Sequence, residues 1–204
     1  MDYIQNYISV LQQTIDQLPR ELIADVVDVL QNARLQGSHV FIMGNGGSAS
    51  TASHFVCDLA KNTRYEGLPP FKVIGLSDNM AIFSAYANDE GYENVFSQQL
   101  SNLIQPRDVV IAISASGNSK NVLCAIEEAQ KHDAITIGFT GFDGGRLGQM
   151  ANINLHVKSD IIEHVEDIHL MLEHIVIKTM KEQDRRKAET AESSVSMPVD
   201  ALGS

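Results

Sequence analysis

The stretch His39-Val40-Phe41-Ile42-Met43-Gly44-Asn45-Gly46-Gly47-Ser48-Ala49-Ser50 carries the reading of the fold. It opens on a short, mostly apolar run that stops at Gly44. Glycines at 44, 46 and 47 let the backbone turn tightly and come close to a ligand. Ser48 stands where a helix begins, beside free backbone N–H groups and the positive end of the helix dipole. That order of strand, glycine turn and helix start suits a bound anion. A plain glycine turn followed by a capping serine fits the same residues.

Working outward, similar apolar runs recur at 71–76, 109–113, 134–139 and 153–157. Helix-length stretches separate most of them. Short apolar strands alternating with helices predict an α/β fold: a parallel sheet covered by helices on both faces, a doubly wound three-layer sandwich. Ligands of such sheets sit beyond the carboxyl ends of the strands, which is where this sequence places its glycines and serines. Ahead of the first strand, residues 2–36 read as two helices. Ile4, Ile8, Leu11 and Ile15 recur at helical spacing, Pro19 starts the second segment, and Gly37 closes it. A long helix is expected over 161–183. The polar, aperiodic residues 184–204 read as a mostly disordered tail, so the domain is expected to cover 1–183.

A second strand–loop–helix unit runs Ile111-Ala112-Ile113-Ser114-Ala115-Ser116-Gly117-Asn118-Ser119 into a helix over 121–131. Its three serine hydroxyls and its backbone amides can surround a phosphate without any cation. That economy matters, because the chain carries a net charge of −11 and has no evident basic patch. Direct nucleic-acid binding is therefore not expected. No apolar run is long enough for a membrane helix, and the start M-D-Y-I-Q-N-Y lacks the basic and apolar segments of a signal peptide. The expected location is cytoplasmic. The two cysteines, Cys57 and Cys124, form no CxxC pair and are expected to be reduced and largely buried.

His54 and Asp58 stand four apart on the helix after the first loop, so they share a face. Such a pair can hold a metal ion or form a simple ion pair. The last helix adds His164, Glu166, His169, Glu173 and His174.

The ordered set G-N-G-G-S, S-x-S-G-N-S and T-G-x-D-G-G (the last over 140–145) resembles the sugar isomerase (SIS) domain family, over about residues 3–182. The resemblance implies aldose–ketose isomerisation of a phosphosugar through an enediol, with sedoheptulose 7-phosphate and glycero-manno-heptose 7-phosphate as the pair. It implies substrate contacts from Asn45, Gly46, Gly47, Ser48, Asn88, Asp89, Ser114, Ala115, Ser116, Ser119 and Glu166. It also implies zinc on His54, Asp58, Glu166 and His174, with Asp58 as base and His174 as acid. His169 matches a further family histidine. The chain departs from the family pattern in several places. Ala115 stands where threonine is common, Asp58 replaces a glutamate, Glu166 replaces a glutamine, and Arg64 falls about two residues late. Glu166 and His174 lie about 12 Å apart along an ideal helix. That separation, with the apolar N-terminal helices, points to a homo-oligomer, and the resemblance makes it a tetramer. The rival expectation is a non-catalytic SIS adaptor that binds a replication initiator or senses a phosphosugar. The presence of His54, Asp58 and His174 together favours the enzyme.

Overall fold

The computed structural model describes residues 2–195. Two helices, α1 (Asp2–Asp16) and α2 (Arg20–Gln36), precede the sheet, and Gly37 ends α2 in the left-handed conformation (φ 71°). The five strands are β1 (His39–Gly44), β2 (Lys72–Gly75), β3 (Val109–Ser114), β4 (Ile135–Thr140) and β5 (Ile153–His156). Between them run α3 (Gly47–Cys57), α4 (Met80–Asp89), α5 (Ser97–Ser101), α6 (Lys120–Lys131) and α7 (Gly145–Met150), and α8 (Ile162–Val195) follows β5. A π-helical turn, Asp58–Asn62, continues α3, and a short 3-10 turn spans Tyr92–Asn94. All five expected strands are present within a residue or two of the apolar runs.

The sheet is parallel throughout, in the order β2-β1-β3-β4-β5. Strand faces alternate, and here both faces are buried, so the central strands read as unbroken apolar runs. Val40, Ile42, Val109, Ile111 and Ile113 face the core formed with α2, α3 and α8. Phe41, Met43, Val110 and Ala112 face the core formed with α5, α6 and α7. This is the expected three-layer α/β arrangement. The strand order reverses between β1 and β3, so the chain leaves these neighbours towards opposite faces and opens a crevice at their carboxyl ends.

The reading of 184–204 as a tail is corrected in part: α8 continues without a break through Val195. The cause is tertiary. Asp184, 2% exposed, accepts from Arg34 Nη2 through both carboxylate oxygens at 2.8 and 2.9 Å. Arg34 also donates to Gln31 and to the Thr63 carbonyl and lies over the Phe71 ring. Residues 196–204 of the expected tail lie outside the described residues. The cysteines differ from expectation too, Cys57 being exposed and Cys124 half-buried.

Candidate functional site

The two loops flank the β1/β3 crevice. Gly44 ends β1 with the Ser48 backbone so close that any Cβ would sit 2.6 Å from it. Gly46 takes φ 54°, and α3 starts on it without a side-chain cap. The second loop leaves Ser114, and α6 starts on Ser119, whose hydroxyl makes no capping bond. Ser114 Oγ instead reaches Ser119 Oγ at 3.3 Å, and Ser116 Oγ accepts from the Asn118 amide at 3.3 Å. Two uncapped helix starts and three serines thus gather at one end of adjacent strands. Orphan N–H groups of that kind suit an anion.

The loops are tied together by an amide pair that the sequence reading missed. Asn45 Nδ2 donates to Asn121 Oδ1 at 3.0 Å, and Asn121 Nδ2 donates back to Asn45 Oδ1 at 2.9 Å. Tyr92 Oη also donates to Asn45 Oδ1, at 2.8 Å. The third loop buttresses the second. Gly117, at φ 64°, lies so close to the Gly144 carbonyl that a Cβ would stand 2.1 Å from it. The Gly141 amide donates to the Ala115 carbonyl at 2.8 Å. Asn88 and Asp89 are exposed on the last turn of α4 and bond to each other at 2.7 Å.

The histidines and acids separate into two groups. Glu166, half-buried, sets its carboxylate against Gly47, where a Cβ would lie 2.6 Å from Oε1. One group further along both helices, the ligand-type atoms of His54, Asp58, Glu173 and His174 lie within 4.8 Å of one another. Of the expected set, His54, Asp58 and His174 meet here, with Glu173 beside them, and Glu166 of the same chain stands two helical turns before Glu173, outside the cluster. His54 Nε2 lies 3.1 Å from His174 Nε2, 3.8 Å from Asp58 Oδ2 and 3.9 Å from Glu173 Oε2. His174 Nε2 lies 3.4 Å from Glu173 Oε2. Asp58 Oδ1 accepts from Asn62 Nδ2 at 2.6 Å, across the π turn.

Glu173 is fully buried, with Asp58 and the two imidazoles as its polar neighbours. Burial, followed by the negative charge of Asp58 and a hydrogen bond shared with it, pushes its carboxyl up to about 8. Two atoms bound to one tetrahedral zinc at ~2.0–2.1 Å stand ~3.3 Å apart. The short separations in the cluster bracket that spacing. Two imidazoles and two carboxylates, with no sulfur, suit zinc or a similar divalent ion. By both spacing and donor chemistry, the residues fit a metal.

Nearby, His169 is buried behind the third loop, with Nε2 3.2 Å from the Thr140 carbonyl. Burial pushes its imidazole down to about 4, so it is neutral and donates through Nε2.

Comparison with known proteins agrees with this arrangement. The SIS domain model matches residues 2–141. A phosphoheptose isomerase of Geotalea daltonii is 36% identical over 188 residues, covering 90% of this chain and 96% of the relative. A probable phosphoheptose isomerase of Thermoplasma acidophilum is 38% identical over 163 residues, covering 80% and 89%. The solved structure of a phosphoheptose isomerase from Francisella tularensis superposes with a TM-score of 0.82 at 31% identity, covering 89% of this chain and 97% of that one.

Proposed function

The chain belongs to the SIS domain family, and from that membership we propose that it is a phosphosugar aldose–ketose isomerase interconverting sedoheptulose 7-phosphate and glycero-manno-heptose 7-phosphate. The observation that carries the reading is the pairing of a serine-lined, uncapped loop crevice with a histidine–carboxylate cluster on helices that rise from the same face. The crevice supplies a phosphate handle. The cluster supplies proton-transfer groups.

In this reading Ser114, Ser116 and Ser119, with the Ala115 backbone and the start of α6, hold the phosphate. Asn45, Gly46, Gly47 and Ser48 line the sugar, and Glu166 faces it from across Gly47. Asn88 and Asp89 would join from the end of α4. Isomerisation moves a proton between neighbouring carbons and another between their oxygens, through an enediol. Asp58 is assigned to take and return the carbon proton, and half-exposed His174 to serve the oxygens. Asn62 orients Asp58 by holding Oδ1. A divalent ion, zinc by its donor set, would be held by His54, Asp58 and His174 and would polarise the substrate's carbonyl oxygen when bound.

The enzyme is assigned as a homo-oligomer, a tetramer by its resemblance, and as cytoplasmic. Among the described residues no helix is long and apolar enough to cross a membrane. The test is deuterium uptake from solvent into sedoheptulose 7-phosphate, with and without chelator. Uptake by metal-replete protein supports the isomerase. No uptake with this or any related phosphosugar moves the chain to the adaptor class. Full activity in metal-free protein removes the metal. Sedimentation as a 22.4 kDa monomer at micromolar concentration would remove the oligomer.

A further inference from the structure

The amide pair that ties the first two loops together has one orientation, and the hydrogen bonds around it decide which. Asn121 sits in the first turn of α6 and is 2% exposed. Its Oδ1 accepts from the Val122 backbone amide at 3.0 Å and from Asn45 Nδ2 at 3.0 Å. Turning the Asn121 side chain over would set its Nδ2 against the Val122 N–H, donor on donor, inside a buried turn. The backbone of α6 therefore fixes Asn121, and Asn121 fixes Asn45. Tyr92 acts in the same sense from the 3-10 turn, donating to Asn45 Oδ1 at 2.8 Å. Its ring rests edge-on against Phe83, with centroids 5.8 Å apart.

An amide side chain carries two donor hydrogens and two acceptor lone pairs. On Asn45, Asn121 and Tyr92 take both lone pairs of Oδ1, and Asn121 takes one hydrogen of Nδ2. What is left on Asn45 is a single N–H. Asn121 stands two residues after Ser119, so this N–H belongs to the phosphate-loop end of the crevice. We infer that Asn121 and Tyr92 are positioning residues that lock Asn45 as a hydrogen-bond donor toward the phosphate-bearing half of the substrate. The inference rests on the reading of the crevice as a phosphosugar site. An unlocked amide could turn its oxygen toward an anionic ligand, in a chain whose net charge is already −11. The lock removes that repulsive face. Neither positioning residue has to touch the ligand, because both act through Asn45.

The experiment is calorimetric titration with sorbitol 6-phosphate, an open-chain polyol phosphate with no carbonyl to isomerise, alongside kcat and KM for sedoheptulose 7-phosphate. It compares wild type, Tyr92→Phe, Asn121→Asp, Asn45→Ala and the double variant Asn45→Ala/Tyr92→Phe, each also melted without ligand. Tyr92→Phe loses only a hydroxyl and should weaken the probe by about 2–10-fold. Asn121→Asp still accepts from Val122 and from Asn45 Nδ2 but sets an acceptor against Asn45 Oδ1, and should weaken the probe by about 10-fold or more. Both losses should fall on KM more than on kcat. Ligand-free Tyr92→Phe should melt as wild type does, which keeps the test independent of the buried site at 121. The double variant decides between positioning and packing. If Tyr92 acts through Asn45, removing its hydroxyl costs nothing further once Asn45 is alanine, whereas a packing role costs the same in both backgrounds. No probe binding by wild type, equal affinity in wild type, Tyr92→Phe and Asn121→Asp, an undiminished Tyr92→Phe cost without Asn45, or a loss confined to kcat would each overturn the inference. The expected losses of affinity in a chain that isomerises no phosphosugar would sustain the lock and remove the isomerase.

Discussion

At the scale of single residues, the serines and the acid–base pair make separable predictions. Phosphate should raise the melting temperature of the wild type, and Ser116→Ala with Ser119→Ala should abolish that rise. An unchanged shift would remove this loop from the site. Asp58→Asn and His174→Ala should each slow deuterium uptake by about 10²–10⁴-fold if they act as base and acid. His169 gives a pH signature of its own. Its ordinary value is 6.5, and burial pushes it down to about 4. Above 6.5 it is neutral in both folded and unfolded chains and costs nothing. As the pH falls from 6.5 towards 4, the unfolded chain takes up a proton that the fold refuses. Stability should therefore decline across that window, by at most about 3 kcal/mol from this group. Denaturant titrations should show a flatter acid limb for His169→Gln. Residues of this kind divide by how visible they are in sequence. Ser114, Ser116, Ser119, His54 and Asp58 announce themselves through local spacing. Asn121 and Tyr92 do not, because each acquires its partner only when distant segments meet.

At the scale of elements, the strands were the most legible feature, since burial on both faces writes them as unbroken apolar runs. The end of α8 was illegible for the opposite reason. Residues past 183 look polar and aperiodic, and Asp184 turns helical and buried only because Arg34 waits on α2. Three of the four expected ligands, His54, Asp58 and His174, meet in one cluster. Glu173, which joins them, lies one heptad after Glu166 on the side of α8 that meets α3, a contact that spacing along one helix does not reveal. The structure shows two points of contact between these helices, Gly47 with Glu166 and His54 with Glu173, seven residues apart on each. The helices therefore run in the same direction, and about 10 Å of helix separates loop from cluster. A ketose whose reacting carbons lie far from its phosphate suits that separation. Under the proposed function, a pentulose 5-phosphate should show a clearly lower kcat/KM than sedoheptulose 7-phosphate, and equal values would refute the spacing argument. The seam between the second and third loops is tight. Gly117→Ala would press a Cβ onto the Gly144 carbonyl in a left-handed backbone, and should destabilise by about 1–3 kcal/mol while weakening the phosphate-induced shift.

At the scale of the whole molecule, the Arg34–Asp184 pair joins the second helix to the last one across the same core. Removing one partner of a buried pair strands the other, at a cost of about 3–5 kcal/mol. A chain cut after Gln183, where sequence alone would draw the boundary, should show that loss in urea unfolding. Stability equal to the full chain would show the pair to be dispensable. The sheet itself has a further consequence. Its two edge strands, β2 and β5, are four residues each, the shortest it has. A foreign strand could gain only a few ladder bonds on either edge, so growth by strand addition, the route to fibrils, is closed in the native state. Contacts between molecules are left to helical faces, such as the one that exposes Tyr3 and Ile4 on α1. Concentrated native protein should accordingly remain silent to thioflavin T, and a signal should arise only once heating has opened the sheet.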